Sequence, residues 1–159
     1  MNIAEVFRND ARFASALEAL DRREFTQAER ALTALLDMTV VAPERAFLLN
    51  KRGVARIGLE RRELAEADFN AALDAQPRYA PALTNLGNLR LEDGDVEGAI
   101  ARYELAIAGD GSYAIAHLNL GVALKRAGRI SEGVRALRQA QRLEKTSNAA
   151  SSWWPARRR

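Results

Sequence analysis

Few side chains in this sequence have the type and spacing that catalysis or metal binding requires. His117 is the only histidine, and the chain has no cysteine. A single imidazole supplies neither the set of ligands of a zinc site nor the nucleophile and base of a catalytic triad. The absence of thiols excludes cysteine chemistry and cysteine-based metal sites. Because His117 stands beside Leu118 and Leu120, the sequence favours a structural role for it.

The acidic residues Glu92, Asp93 and Asp95 form the second group with possible chemistry. Carboxylates so close together could hold a calcium ion, but the ligand spacing of a calcium-binding loop is absent. The glycines of the chain form no phosphate-binding loop. The sequence therefore predicts a protein that is not an enzyme and that holds no metal and no cofactor.

The composition is typical of a folded, helical chain. Hydrophobic residues make up 48% of the sequence and charged residues 28%, which is the balance of a globular protein. Alanine and leucine, both strong helix formers, supply much of the apolar content. No stretch approaches the roughly 18 apolar residues of a membrane span, and the first residues lack the apolar run of a signal peptide. We therefore expect a cytoplasmic protein without a membrane span.

A period of 34 residues organises most of the chain. Residues 46–79, 80–113 and 114–147 align without gaps, and each carries a glycine in the same place: Gly53, Gly87 and Gly121. Three later positions also agree: Ala65, Ala99 and Gly133; Phe69, Tyr103 and Leu137; Ala72, Ala106 and Ala140. Agreement at a fixed period indicates a repeat architecture.

Each repeat predicts two helices joined by a short turn. Apolar residues at spacings of three and four surround Gly87, a polar turn follows at residues 92–95, and the periodicity resumes at Ala99. A glycine inside a helix costs about 1 kcal/mol relative to alanine, so Gly87 predicts the close approach of a partner helix. Because one hairpin cannot bury its apolar face alone, neighbouring hairpins must pack together.

These patterns resemble the tetratricopeptide repeat. The resemblance rests on Leu83-x-x-Leu86-Gly87-x-x-Arg90, on Ala99-x-x-x-Tyr103, and on the strings Asn85-Leu86-Gly87 and Asn119-Leu120-Gly121. It covers residues 46–147, and residues 1–45 are similar to a degenerate first repeat. It implies an all-α fold, a right-handed α-solenoid of about four stacked helix–turn–helix hairpins over residues 1–147. Arg52 departs from the pattern, since leucine is expected there, and we expect its charged end to reach outward.

The resemblance also implies where a ligand binds. In this family the first helix of each hairpin lines a concave groove, which predicts a non-catalytic adaptor that binds an extended peptide or a segment of a partner protein. The residues in groove positions are Asn50, Lys51 and Val54 of the second repeat, Thr84, Asn85 and Asn88 of the third, and Leu118, Asn119, Val122, Lys125 and Arg126 of the fourth.

Asn85 and Asn119 occupy equivalent positions in adjacent repeats, where we expect them to face solvent. A side-chain amide can donate to a peptide carbonyl and accept from a peptide N–H, so this pair could hold an extended backbone. Alternatively, the asparagines bond locally. Lys51, Lys125 and Arg126 would favour an acidic peptide. A clamp for a terminal carboxylate, as in chaperone cochaperones, is disfavoured because valines at 54 and 122 replace the polar residues it needs.

Charge is distributed unevenly. Residues 1–110 carry 14 basic and 19 acidic side chains, whereas residues 111–159 carry 10 basic and 2 acidic ones. Arg135, Arg138 and Arg142 follow helical spacing and predict a basic stripe. The stripe is either a solvated helix face or a docking surface for an acidic partner. The alternative function is therefore a structural or assembly subunit that docks through its ends and this outer helix. Nucleic acid is disfavoured as a partner because interleaved aromatic residues are missing.

Residues 148–159 form a tail that is either flexible or folded back, and the tail contains both tryptophans, Trp153 and Trp154. No capping helix is predicted behind the last repeat, so its apolar side would be wet. The two indoles are expected either to cover that side or to anchor another chain. The same uncapped end could support a homo-oligomer.

Overall fold

The computed structural model describes residues 11–38 and 41–146, and this part of the chain forms eight α-helices and no strand. Consecutive helices pair into four hairpins, which confirms the predicted all-α fold of helix–turn–helix units. Trp153 and Trp154 lie outside the described residues. The helices are α1 (Ala11–Asp21), α2 (Phe25–Leu36), α3 (Ala42–Gly58), α4 (Arg62–Ala75), α5 (Ala80–Glu92), α6 (Val96–Gly109), α7 (Ala114–Arg126) and α8 (Ile130–Thr146).

The described residues fall into two compact units, residues 11–77 with helices α1 to α4 and residues 78–146 with helices α5 to α8. In the first unit, Leu32, Leu35, Leu48 and Phe69 are fully buried. In the second unit, one cluster joins the two hairpins; it contains Ala99, Ile100 and Tyr103 of α6, Ala123 and Leu124 of α7, and Ala136 of α8. The apolar positions of the 34-residue period thus form the core of each unit.

The glycines of the period lie where two helices of a hairpin touch. A β-carbon at position 87 would lie 2.5 Å from Cε1 of Tyr103, and one at position 53 would lie equally close to Cε1 of Phe69. At position 121 a β-carbon would lie 2.7 Å from Cγ of Leu137. Only glycine admits such contacts without displacing the facing side chain. The predicted close approach at Gly87 is confirmed.

Each hairpin turn contains one residue in the left-handed backbone region. In the second unit these residues are Gly94 and Gly128, with φ of 83° and 80°. In the first unit Arg23 and Glu60 adopt the same conformation, with φ of 62° and 61°. Side chains make this region costly, by roughly 1–2 kcal/mol per residue. The first two turns are therefore strained relative to the last two.

Arg52 does not reach outward, contrary to the expectation from sequence. Its Nε and Nη2 donate to the two carboxylate oxygens of Asp68 at 2.9 and 2.7 Å, and its side chain is largely buried. Arg56 also donates to Asp68, at 2.9 Å, and to Glu29 of α2, at 2.9 Å. Asp68 is buried, and a buried carboxylate needs such partners. An ionic network therefore fills the place of the expected leucine.

Candidate functional site

A network of three side chains joins helices α5, α6 and α7 of the second unit. Asn88 Oδ1 accepts a hydrogen bond from the hydroxyl of Tyr103 and another from Nδ2 of Asn119, both at 2.8 Å. Asn88 and Asn119 are half-buried. The phenol fixes the amide of Asn88, and the amide of Asn88 in turn fixes that of Asn119. Sequence reasoning missed Tyr103, because the equivalent positions carry phenylalanine and leucine and indicate packing alone.

Both asparagines keep hydrogen-bonding capacity toward a ligand. Within the described residues, Oδ1 of Asn88 takes both hydrogen bonds, while Nδ2 of Asn88 and Oδ1 of Asn119 take part in none. An amide nitrogen carries two N–H donors, and an amide oxygen has two lone pairs. The pair therefore offers one free donor group and one free acceptor group. A residue of an extended peptide presents the complementary acceptor and donor, its own C=O and N–H, on one side.

The rest of α7 adds apolar and basic side chains beside this pair. Leu118 is 37% exposed and Val122 is 38% exposed. With Lys125, also exposed, they follow helical spacing of four and three residues and share one face of α7. Arg126 is exposed one residue further along the helix. We name this set the amide surface: Asn88, Leu118, Asn119, Val122, Lys125 and Arg126.

Charges of both signs lie near the phenol of Tyr103. Burial raises the pKa of this phenol above its usual value, while the guanidinium of Arg126 acts to lower it and the carboxylate of Glu92 acts to raise it. Arg126 and Glu92 therefore both lie within electrostatic reach of the network. The amide surface has a basic side and an acidic border.

The remaining predicted groove residues of α5 are not exposed. Thr84 is 1% exposed and its hydroxyl has no hydrogen-bond partner, and Asn85 is 9% exposed. The expectation that Asn85 faces solvent is therefore wrong. The hydrogen bond that joins two predicted groove asparagines runs from Asn119 to Asn88, not to its repeat equivalent. The 34-residue period correctly predicted that these residues lie on the first helix of their hairpin. It did not predict how deeply they are buried.

The predicted groove residues of the first unit, Asn50, Lys51 and Val54, are all buried on α3. Nζ of Lys51 lies 5.3 Å from the ring centre of Phe47, within the range of a cation–π contact. Burial lowers the pKa of Lys51 to about 8, although the carboxylate of Asp21 acts to raise it. Burial of this side chain therefore disfavours its charged form.

The other residues with possible chemistry have structural roles where they are described. Nε2 of His117 donates to the carbonyl oxygen of Gly111 at 3.0 Å, across the turn before α7. Asp95 accepts from the backbone N–H of Gly98 at 2.9 Å and caps α6. Among residues 11–38 and 41–146, no group of three histidine or acidic side chains is arranged to hold a metal ion. In the same ranges, no helix has the length and apolar content of a membrane span.

The predicted basic stripe lies on α8. Arg135, Arg138 and Arg142 are exposed. The α7–α8 hairpin with its preceding turn, residues 111–146, carries seven basic and two acidic side chains. Residues 80–110, which form the preceding hairpin, carry two basic and six acidic ones. The second unit is therefore strongly polarised in charge.

Several solved structures have a similar fold. The crystal structure of MamA matches with 19% sequence identity and a TM-score of 0.66, over 91% of this chain and 85% of that chain. MamA 41-end from Desulfovibrio magneticus RS-1 matches with 21% identity and a TM-score of 0.62, over 92% and 78%. The second TPR of Spaghetti (RPAP3), bound to the HSP90 peptide SRMEEVD, matches with 24% identity and a TM-score of 0.59, over 64% and 94%. At these identities the likeness shows the fold.

Family models identify the repeats themselves. A tetratricopeptide repeat model matches residues 13–80, and a TPR repeat model matches residues 87–128. Together they match residues in both units and well over half of the sequence. The matched ranges contain Gly53, Gly87 and Gly121, which carry the 34-residue period. The chain belongs to the tetratricopeptide repeat family.

Proposed function

We propose that the chain is a non-catalytic interaction module that binds an extended peptide segment of a partner protein on the amide surface of the second unit. Tetratricopeptide repeats in general mediate protein–protein interactions. The observation that carries the proposal is the hydrogen bond between Asn119 and Asn88, which leaves the amide nitrogen of Asn88 and the amide oxygen of Asn119 available on two bonded side chains.

The chemistry of the surface specifies how the peptide is held. The C=O of one peptide residue accepts from Nδ2 of Asn88, and the N–H of the same residue donates to Oδ1 of Asn119. These contacts recognise the peptide backbone and not its sequence. An apolar side chain of the peptide covers the exposed part of Leu118 and Val122. Lys125 and Arg126 favour an acidic side chain nearby. The expected ligand is thus an extended segment with one apolar and at least one acidic residue.

A structurally similar protein supports this proposal. The second TPR of Spaghetti (RPAP3) binds the HSP90 peptide SRMEEVD, in which a methionine precedes two glutamates. That peptide combines apolar and acidic side chains, as the amide surface requires. The likeness extends to the fold and not to individual residues, so the ligand of this chain must be found by experiment.

The test uses a random-peptide display library selected on the immobilised full chain. Enriched peptides are synthesised with a fluorophore, and their dissociation constants are measured by anisotropy. Asn119→Ala should weaken binding roughly two- to tenfold, the worth of one hydrogen bond of about 0.5–1.5 kcal/mol. Asn70→Ala, which removes an exposed asparagine of α4 in the first unit, is the matched control and should bind as tightly as the wild type.

Two results would contradict the proposal. One is a selection that enriches no peptide sensitive to Asn119→Ala, Val122→Glu or Lys125→Glu. The other is equal weakening by Asn119→Ala and Asn70→Ala, which would mean that the loss is not specific to the amide surface. Circular dichroism of each variant confirms that the helices are intact before its affinity is interpreted.

A second candidate function rests on the basic stripe of α8. Exposed Arg135 and Arg138 favour docking of an acidic protein surface, as a structural subunit of a larger complex would require. Charge reversal at both positions should then abolish recovery of a native partner, while Asn119→Ala should not. Recovery that is lost on nuclease treatment and falls steeply with salt would instead indicate nucleic acid.

A further inference from the structure

The last hairpin of the second unit leaves partly exposed an apolar face that the preceding hairpin buries. On α6, Ile100 is 3% exposed and Tyr103 is fully buried. The residues 34 positions later are Val134 and Leu137 of α8, and both are half-buried. Ile130, one turn before Val134 on the same side of α8, is 52% exposed. We call Ile130, Val134 and Leu137 the end face. In the part of the chain that the structure describes, no helix follows α8 to cover it.

The packing of α7 shows what kind of element covers such a face. In the core cluster of the second unit, α7 meets Ile100 and Tyr103 with four apolar residues, Leu120, Ala123, Leu124 and Ala127. These residues have the spacing i, i+3, i+4 and i+7, which places them on one stripe of an amphipathic helix. A helix with the same stripe therefore fits the end face.

Opposite charges also meet where the last hairpin approaches α6. The hydrogen bond with Glu132 raises the pKa of Arg129, in the turn after α7, and the carboxylates of Glu97 and Glu104 on α6 raise it further. Arg129, two residues after Ala127, thus lies within electrostatic reach of acidic residues on α6. The helix that covers α6 is therefore followed by a cation that complements an acidic surface.

The same positions on α8 have the opposite charge. Arg138 stands 34 residues after Glu104, and Arg135 stands 34 residues after Ala101. Both arginines are exposed, one residue after Leu137 and Val134 respectively, so the end face has a basic rim. An element that covers the end face as α7 covers α6 therefore needs acidic residues where the α7–α8 turn has a cation.

We propose that the end face binds an acidic amphipathic helix of a partner protein, which lies on α8 as α7 lies on α6. Its apolar residues at i, i+3, i+4 and i+7 cover Ile130, Val134 and Leu137. An aspartate or glutamate two residues further on takes the place that Arg129 has in the template and lies near Arg138. This site does not depend on peptide binding at the amide surface, and it specifies the partner of the second candidate function.

Charge favours such a helix over occupants from this chain. A symmetric dimer through the end face would set the basic rim of one copy against that of the other. Residues 147–159 contain three arginines and no acidic side chain, so they cannot complement the rim. An acidic helix from another protein satisfies both the apolar stripe and the charge.

The test is a selection of displayed helices on the immobilised full chain. The library presents a stable helical scaffold on which the exposed face of one helix is randomised. We expect enriched faces with apolar residues at i, i+3, i+4 and i+7 and with aspartate or glutamate beside them. Anisotropy then gives the dissociation constant of the tightest helix for the wild type and for each variant.

Variants of the end face locate the binding. Ile130→Asp should weaken the tightest helix by roughly tenfold or more, because it sets an unpaired carboxylate against the apolar stripe. Leu105→Asp, at an equally exposed leucine of α6, is the matched control and should bind as the wild type does. Asn119→Ala should also leave the affinity unchanged, which separates this site from the amide surface.

A charge exchange tests the rim without relying on Ile130→Asp. Arg138→Glu should weaken the selected helix, and replacing the acidic residue of that helix by lysine should restore its affinity for Arg138→Glu while weakening it for the wild type. Four results would overturn the proposal: enrichment of helices without acidic residues, equal affinity for the wild type and Ile130→Asp, self-association of the chain that Ile130→Asp abolishes, or helix binding that appears only after residues 147–159 are removed.

Discussion

Nδ2 of Asn119 donates a 2.8 Å hydrogen bond to Oδ1 of Asn88, which lies thirty-one residues earlier in the chain. The two residues stand on α7 and α5, the first helices of consecutive hairpins in the second unit. Because Tyr103 bonds to the same oxygen, both amides are oriented before any ligand arrives. Binding a peptide backbone there would not require ordering these side chains, which reduces the entropic cost of association.

The hairpin turns give a prediction about backbone strain. Glu60→Gly should stabilise the first unit by about 0.5–1 kcal/mol, because glycine avoids the left-handed penalty but adds entropy to the unfolded chain. Glu60 suits this test better than Arg23, which has a cation–π contact with Phe25. Urea denaturation followed by circular dichroism measures the change.

Gly94→Ala, in the α5–α6 turn of the second unit, is the reciprocal control. A β-carbon at position 94 would meet no atom within 4 Å, so any loss of stability comes from the backbone conformation alone. We expect a loss of about 1 kcal/mol. Destabilisation by Glu60→Gly, or no effect of Gly94→Ala, would show that the positive φ values carry no strain.

The ionic network of the first unit gives a prediction about buried charge. Asp68→Ala should destabilise the unit by about 3–5 kcal/mol, because it leaves Arg52 and Arg56 without their shared partner. Adding Arg52→Leu, which restores the leucine of the repeat pattern, should recover part of that loss. Chemical denaturation of the wild type, both single variants and the double variant completes the thermodynamic cycle. Strictly additive losses would contradict the pairing.

Lys51 gives a prediction about pH. Burial lowers the pKa of this lysine to about 8, whereas an unfolded lysine titrates near 10.4. Between these values the unfolded chain binds a proton that the folded chain lacks, so stability rises with pH. The rise is at most about 1 kcal/mol per pH unit and should vanish in Lys51→Met. Burial raises the pKa of Tyr79 and Tyr103, so these phenols act in the opposite direction above about pH 10.

The pH prediction is measured as urea midpoints between pH 7.5 and 9.5. Lys125→Met, at an exposed lysine of the second unit, is the control and should keep the wild-type rise. A wild-type stability that is flat over this range, or a rise that persists in Lys51→Met, would mean that burial does not perturb this amine.

The repeat pattern predicted the helices because it depends on contacts between the two helices of one hairpin. Glycine at positions 53, 87 and 121 opposes a large side chain sixteen residues later, and that spacing is set by the hairpin itself. Contacts between hairpins carry no such spacing. The ion pair between Glu29 and Arg56 joins two hairpins and was not predicted for this reason. The pair of Arg52 with Asp68 lies within one hairpin, but charged residues at these positions are also typical of solvated faces, so the sequence did not predict it either.

The candidate site was predicted only in part, because the repeat pattern gives the position of a residue on its helix but not its contacts with other hairpins. Helical position identified Asn88 and Asn119 as neighbours of a common surface, but it also selected Thr84 and Lys51, which are buried. Burial depends on the packing of surrounding elements, which periodicity does not record. The hydroxyl of Tyr103 was missed because its ring satisfies the packing pattern, whereas its hydrogen bond to Asn88 is specific to this repeat.

The side-chain amide signals of Asn88 and Asn119 in ¹H–¹⁵N correlation spectra test the central claim most directly. The full chain, labelled with ¹⁵N, is titrated with the tightest peptide from the library selection, and Asn70 serves as the internal control. We predict that the NH₂ signals of Asn88 and Asn119 shift in proportion to bound peptide, because their free donor and acceptor groups engage its backbone, while that of Asn70 stays in place. Saturable binding that leaves the signals of Asn88 and Asn119 unmoved would contradict the account.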